Sequence, residues 1–97
     1  MPAYVIAQLE VTDPAAYERY RAATPATIAA AGGRYLARGG EVTALEGAHD
    51  GRRVVILEFP DLQAARDWYH GESYTAAREL RRHSARSVTF LLVPGVG

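Results

Sequence analysis

The chain has 97 residues, 48% of them hydrophobic, with eleven acidic and eleven basic side chains and no cysteine. This composition suits one small folded domain spanning residues 1–97. Without thiols there is no disulfide framework, thiol nucleophile, thiolate zinc site or iron–sulfur cluster, and zero net charge argues against a protein built to hold phosphate backbones.

Tyr4 to Val11 reads as a strand, with Val5, Ala7, Leu9 and Val11 on one face and Tyr4, Ile6, Gln8 and Glu10 on the other. Thr12-Asp13-Pro14 supplies a helix start, because Asp13 can accept from free backbone N–H groups and Pro14 suits the first helical position. Tyr17, Tyr20, Thr24, Ile28 and Ala31 follow at spacings of three and four and mark one helical stripe. Pro25 lies inside that pattern, which predicts a kinked or divided helix. Gly32-Gly33 is a helix stop.

A second strand runs from Arg34 to Arg38, after which Gly39-Gly40 permits a bend or bulge. Glu41 to Leu45 either extends that strand or begins an arm, and residues 46–51 have the composition of a turn. Arg53 to Phe59 is nearly continuously apolar, as expected of a central strand covered on both faces. Pro60-Asp61 opens a helix with Leu62, Ala65 and Tyr69 on one stripe. His70-Gly71 interrupts it, and a further helical stretch from Tyr74 to about His83 turns Tyr74, Ala77 and Leu80 inward. Val88 to Val93 forms the last strand before Pro94-Gly95.

The order is strand, helix, strand, strand, helix, strand. It predicts an α+β, ferredoxin-like βαββαβ domain whose four-stranded antiparallel sheet carries its helices on one face. Both faces of the third and fourth strands are apolar, with Val54 and Ile56 opposing Val55, Leu57 and Phe59. Helices cover only one face, so a second copy is expected to cover the other in a homodimer paired through its sheets.

Arg38 and Glu58 sit near strand ends in apolar surroundings. They are read first as an ion pair organising the sheet or the dimer seam, and second as a pair able to orient a substrate or move a proton. Trp68, Tyr69 and Tyr74 flank the helical interruption and can either pack in the core or line a pocket for a planar ligand. The stripe favours the core for Tyr69. Arg78, Arg81, Arg82, His83 and Arg86 form a basic stretch read chiefly as a solvated helix face, with Arg81 retained as a binder of a small anion. His49, His70 and His83 show no metal-ligand spacing, and neither glycine pair matches a phosphate loop. No metal or cofactor is expected.

Gly32-Gly33-Arg34-Tyr35-Leu36-Ala37-Arg38-Gly39-Gly40, together with Val55-Ile56-Leu57-Glu58-Phe59-Pro60 and Ala65-Arg66-Asp67-Trp68-Tyr69, resembles the domain-of-unknown-function family 1330 (DUF1330) from Tyr4 to about Val93. Family members carry Ser after the Trp-Tyr-x tripeptide, where this chain has Gly71 followed by Glu72-Ser73-Tyr74. The resemblance implies membership of the dimeric α/β-barrel superfamily, whose members pair their sheets face to face. Relatives in that superfamily include cofactor-free monooxygenases, lactone isomerases and haem enzymes. The monooxygenases use a Trp and a Tyr in this helical region, which Trp68 and Tyr74 would match, and an Asn, which this chain lacks.

The expected function is a cofactor-independent enzyme acting by acid–base chemistry on a small carbonyl, carboxylate or aromatic substrate. Glu58, Tyr74 and Arg38 are its expected catalytic residues, and Trp68, Arg81 and Tyr69 its ligand-binding residues. The alternatives are a non-catalytic small-ligand or stress-response module and a cofactor-free monooxygenase. The N-terminus lacks the basic and long apolar regions of a signal peptide, and no apolar run nears the roughly 20 residues that span a bilayer. The expected location is therefore the cytoplasm, with no membrane or nucleic-acid partner.

Overall fold

Strict alternation in the first strand decides which side of the sheet the helices occupy. In β1 (Ala3–Val11), Ala3, Val5, Ala7 and Leu9 are at most 5% exposed, while Tyr4, Ile6, Gln8 and Glu10 on the opposite side remain half-buried. A computed structural model describes residues 1–96. In it β1 is followed by α1 (Pro14–Ala30), β2 (Arg34–Arg38), β3 (Arg53–Phe59), α2 (Leu62–His70), α3 (Glu72–Arg81) and β4 (Ala85–Pro94). The sheet order is β2-β3-β1-β4 with every neighbouring pair antiparallel, the ferredoxin-like arrangement. Here the second helical stretch is two helices meeting at Gly71, giving βαββααβ. The core unites Val5, Leu9, Leu57 and Phe59 from the sheet with Tyr17, Tyr20, Ile28, Ala65, Trp68, Tyr74 and Ala77 from the helices.

Local chemistry sets the helix ends. The Asp13 carboxylate accepts from the Ala16 N–H at 3.1 Å and Asp61 accepts from the Ala64 N–H at 2.8 Å, so each caps its helix. At the end of α1, Gly32 takes φ +80, and the Gly33 N–H closes onto the Ile28 carbonyl at 2.9 Å.

Three expectations change. Pro25 does not divide α1, which runs unbroken across it. Proline lacks the N–H that would serve the Arg21 carbonyl, and Arg38 from β2 donates to that oxygen instead, at 2.7 Å. Glu41 to Leu45 adds no strand: β2 ends at Arg38, Gly39 turns at φ +72, and residues 40–48 are all exposed outside the sheet. Leu80, expected inward, is 40% exposed, while its neighbour Arg81 is buried.

The sheet face away from the core presents a continuous apolar row. Ile6 stands between Ile56 on β3 and Leu91 on β4, with Tyr4 and Val93 beside it. Leu91 is 48% exposed and Val93 39%, so among the described residues nothing fully covers this end of the row.

Candidate functional site

Parity along the strands decides which charged residues reach the core side of the sheet. On β3, Arg53 pairs with Leu9 and shares the inner face with Val55, Leu57 and Phe59. On β2 a bulge intervenes: Tyr35 pairs with Leu57, but Ala37 pairs with Ile56 and Arg38 with Val55. The extra residue, Leu36, shifts the alternation by one and brings Arg38 to the inner face. Glu58 pairs with Arg34 and Tyr4 on the outer face. The expected Arg38–Glu58 pair is therefore replaced: Arg34 Nε donates to Glu58 Oε1 at 2.8 Å, and Arg38 lies on the other side of the sheet.

Arg38 and Arg53 border a cleft between α1 and the inner sheet face. Its walls are Tyr17, Tyr20, Thr24, Ile28 and Arg21, the last paired with Glu18, from α1, Tyr35 from β2, Trp68 from α2 and Phe90 from β4, over a floor of Ala7, Leu9, Val55 and Leu57. The Arg38 guanidinium lies 4.5 Å from the centre of the Tyr35 ring, and that of Arg53 lies 5.6 Å from the Tyr17 ring. As the side chains stand, the free volume is about 30 Å³, room for a water molecule. A guest larger than water would require Arg38 and Arg53 to move aside. Among the described residues, no Asp, Glu or His lines the cleft, and neither Arg38 nor Arg53 has a carboxylate within 4.0 Å.

The remaining site expectations scatter around this cleft. Trp68 lines it, is 4% exposed, and donates its indole N–H to the Thr27 hydroxyl at 3.0 Å. Tyr74 is fully buried behind it, its hydroxyl 2.7 Å from the Tyr20 hydroxyl and its ring 4.2 Å from that of Trp68. Tyr69, expected in the core, is only half-buried. It carries Arg78 5.0 Å above its ring and borders a separate groove with Ala65 and Phe90. Arg81 is buried against the Tyr20 and Phe90 rings. The basic stretch is thereby dispersed, since Arg82 pairs with Glu79 and Arg86 with Glu10.

The arginine–tyrosine cluster was missed in part. Spacing marks Tyr17 and Tyr20 as part of one helical stripe and Tyr35 as a strand residue, but nothing in the sequence joins the three to Arg53. Arg53 carried a usable signal, a cation in the same alternation as Val55, Leu57 and Phe59. Burial raises the phenol pKa of Tyr17, Tyr20, Tyr35 and Tyr74 above the ordinary value, so all four are neutral near pH 7. At Tyr17 the charges of Arg53, Arg81 and Arg38 oppose that rise. The cleft thus offers fixed positive charge and neutral hydroxyl groups, a setting that stabilises an organic anion. Among the described residues no group of three or more His, Asp and Glu side chains gathers where a metal ion could sit.

The sequence matches the family described as "Domain of unknown function (DUF1330)" over residues 2–96. The chain belongs to the DUF1330 family. No match is found among curated proteins. Three solved structures show how widely the DUF1330 chain's fold recurs. A protein of unknown function from Rhodopseudomonas palustris superposes with a TM-score of 0.79 at 17% identity, covering 99% of this chain and 83% of that one. A dimeric ferredoxin-like protein of unknown function from Jannaschia gives 0.67 at 16% identity, covering 98% and 100%. SnoaB, a cofactor-independent oxygenase from Streptomyces nogalater, gives 0.66 at 16% identity, covering 99% and 94%. At these identities the likeness establishes the ferredoxin-like fold alone.

Proposed function

We propose that this DUF1330 chain is a cofactor-independent enzyme, acting as a homodimer, whose cleft binds a small planar organic acid and stabilises the anion formed from it. One observation carries the reading: Arg38 and Arg53, without carboxylate partners, border a pocket of tyrosines that contains no acidic side chain or imidazole among the described residues. Two guanidinium groups bearing on one enolisable or phenolic substrate lower its pKa, so the substrate passes a proton to a water molecule in the cleft, which holds it until Tyr17 takes it up. The neutral Tyr17 hydroxyl then returns a proton at a second carbon, and water replaces the proton on Tyr17. The result is an isomerisation that needs no metal or redox group. Trp68 supplies a flat apolar wall for the ring of the substrate. In this reading Glu58 takes no part in the chemistry and belongs to the dimer seam.

The test is deuterium uptake at the carbon next to the carbonyl of an aryl pyruvate, followed by proton NMR. Catalysed exchange is expected, with a loss of about a hundredfold in Arg38→Ala or Arg53→Ala. Binding without exchange, read from the fluorescence of Trp68, would instead make the chain a ligand-holding module. The likeness to SnoaB favours one further reading, in which the bound carbanion of a methylene substrate adds dioxygen and the peroxide loses water to leave a carbonyl. Oxygen consumption with an anthrone distinguishes it.

The homodimer is supported by the uncovered row of Ile56, Ile6 and Leu91 and by the dimeric state of the Jannaschia protein. A second copy offers the same row about a two-fold axis.

A further inference from the structure

Arg81 stands behind the cleft wall rather than among the lining arginines Arg21, Arg38 and Arg53, and the chemistry proposed above leaves it unused. It leaves α3 in the last turn, is 9% exposed, and stands with its guanidinium 5.4 Å from the Tyr20 ring centre and 5.0 Å from that of Phe90. Both rings are walls of the cleft. On its far side Arg81 borders an outer hollow of about 370 Å³ shared with Arg78, Arg82 and His83. Its buried Nε has no hydrogen-bond partner, and among the described residues no carboxylate lies within 4.0 Å of it. The nearby acid on its own helix, Glu79, is turned to Arg82 at 3.4 Å.

Arg53 repeats the anomaly, since its Nε is also buried without a partner. A buried N–H donor left without an acceptor is unfavourable and calls for a specific reason. Cation–π contact with Tyr20 and Phe90 offsets part of that cost but supplies no acceptor for Nε. The Tyr17 phenol lies within the field of Arg53, Arg81 and Arg38 together, so the three charges address one region. A single carboxylate or enolate held by Arg38 and Arg53 leaves Arg81 bare.

We propose that the cleft takes an organic dianion, a planar molecule with two acidic groups, one held by Arg38 and Arg53 and the other by Arg81. This rests on reading the cleft as an anion site and adds the substrate class. The second acidic group distinguishes the intended ligand from the many monocarboxylates of similar size, because only a dianion offers an acceptor to Arg81 as well as to Arg38 and Arg53.

The test compares benzoate with the three benzene dicarboxylates at neutral pH, titrated against the dimer and followed by Trp68 fluorescence. At least one dicarboxylate is expected to bind about tenfold tighter than benzoate. Arg81→Met keeps the apolar stem against Tyr20 and Phe90, and is expected to abolish that margin. Arg81→Lys, which keeps the charge, is expected to retain part of the margin and stands in if the Met variant does not fold. Equal affinity for benzoate and every dicarboxylate would overturn the dianion proposal and leave the anion site intact. So would a margin that survives Arg81→Met, which would reduce Arg81 to a packing residue. Failure of all four carboxylates to bind would overturn both readings.

Discussion

At Gly39 the backbone takes φ +72, and the space a side chain would occupy is filled by the Arg53 guanidinium. Gly39→Ala therefore combines backbone strain of about 1–3 kcal/mol with displacement of a cleft cation. Gly51 has φ +83 but open space at the Cβ position, so Gly51→Ala carries the strain alone. Denaturant unfolding should show both variants destabilised, whereas carboxylate titration should show about a tenfold loss of affinity in Gly39→Ala only. A second residue-scale expectation concerns the hydroxyl pair of Tyr20 and Tyr74, buried and 2.7 Å apart. Tyr74→Phe strands the Tyr20 hydroxyl and should cost about 1–3 kcal/mol. Adding Tyr20→Phe should cost less than the sum of the single changes, because no unpaired donor then remains. A double-mutant cycle by chemical unfolding measures the difference. Tyr74 does not itself line the cleft, so Tyr74→Phe should leave ligand affinity within about twofold.

At the scale of the element, the irregularity of α1 and that of β2 serve one arginine. Pro25 frees the Arg21 carbonyl, the Leu36 bulge turns Arg38 toward the helix, and the guanidinium joins the two at 2.7 Å. Restoring the helix N–H with Pro25→Ala should strengthen α1 by about 1 kcal/mol and loosen the hold on Arg38. The two readouts should therefore move in opposite directions, the thermal midpoint rising while carboxylate affinity falls. Loss of both together would mean that Pro25 merely shapes the helix. The Arg34–Glu58 pair on the outer face has its Arg side chain 71% exposed and its Glu side chain 24% exposed in the single chain. There it contributes about 0–1 kcal/mol, and burial in a dimer seam is what would give it weight.

For the whole molecule, the uncovered row of Ile56, Ile6 and Leu91 predicts assembly. Ile6→Arg places a charge in the middle of that row and should convert the dimer to monomer in sedimentation velocity. A native protein already monomeric at micromolar concentration would refute the paired-sheet reading. The buried tyrosines predict a second global property. Phenols whose folded pKa is raised contribute stability that is fully present below their unfolded value of about 10 and is lost as pH rises beyond it. Tyr17, Tyr20, Tyr35 and Tyr74 all belong to this class, with burial the first cause in each. Absorbance at 295 nm should therefore show a late ionisation step that coincides with loss of the far-ultraviolet circular dichroism signal. Full ionisation with the fold intact would mean that the four phenols are open to solvent.

Alternation and capping chemistry made the fold legible. The pattern of β1, the unbroken apolar run of β3, Asp13-Pro14, Gly32-Gly33 and the break at His70-Gly71 each act over a few residues, and each sets a boundary or a face by local sterics and hydrogen bonding. The cleft was legible only in fragments. Trp68 and Arg38 stand out in the sequence as site residues, but Arg38 reads as the partner of Glu58 because nothing in the sequence marks Leu36 as a bulge. One extra residue reverses every side chain after it, and the register that creates it depends on β3, a strand fifteen or more positions away in the chain. Arg53 and Arg81 become neighbours of the same tyrosines only when the order β2-β3-β1-β4 and the packing of α3 bring them together. The sequence by itself determined the elements, their order and the apolar faces, because those follow from short-range periodicity. Tertiary structure alone decided which cations lose their carboxylate partners, because charge compensation is a property of space and not of the chain.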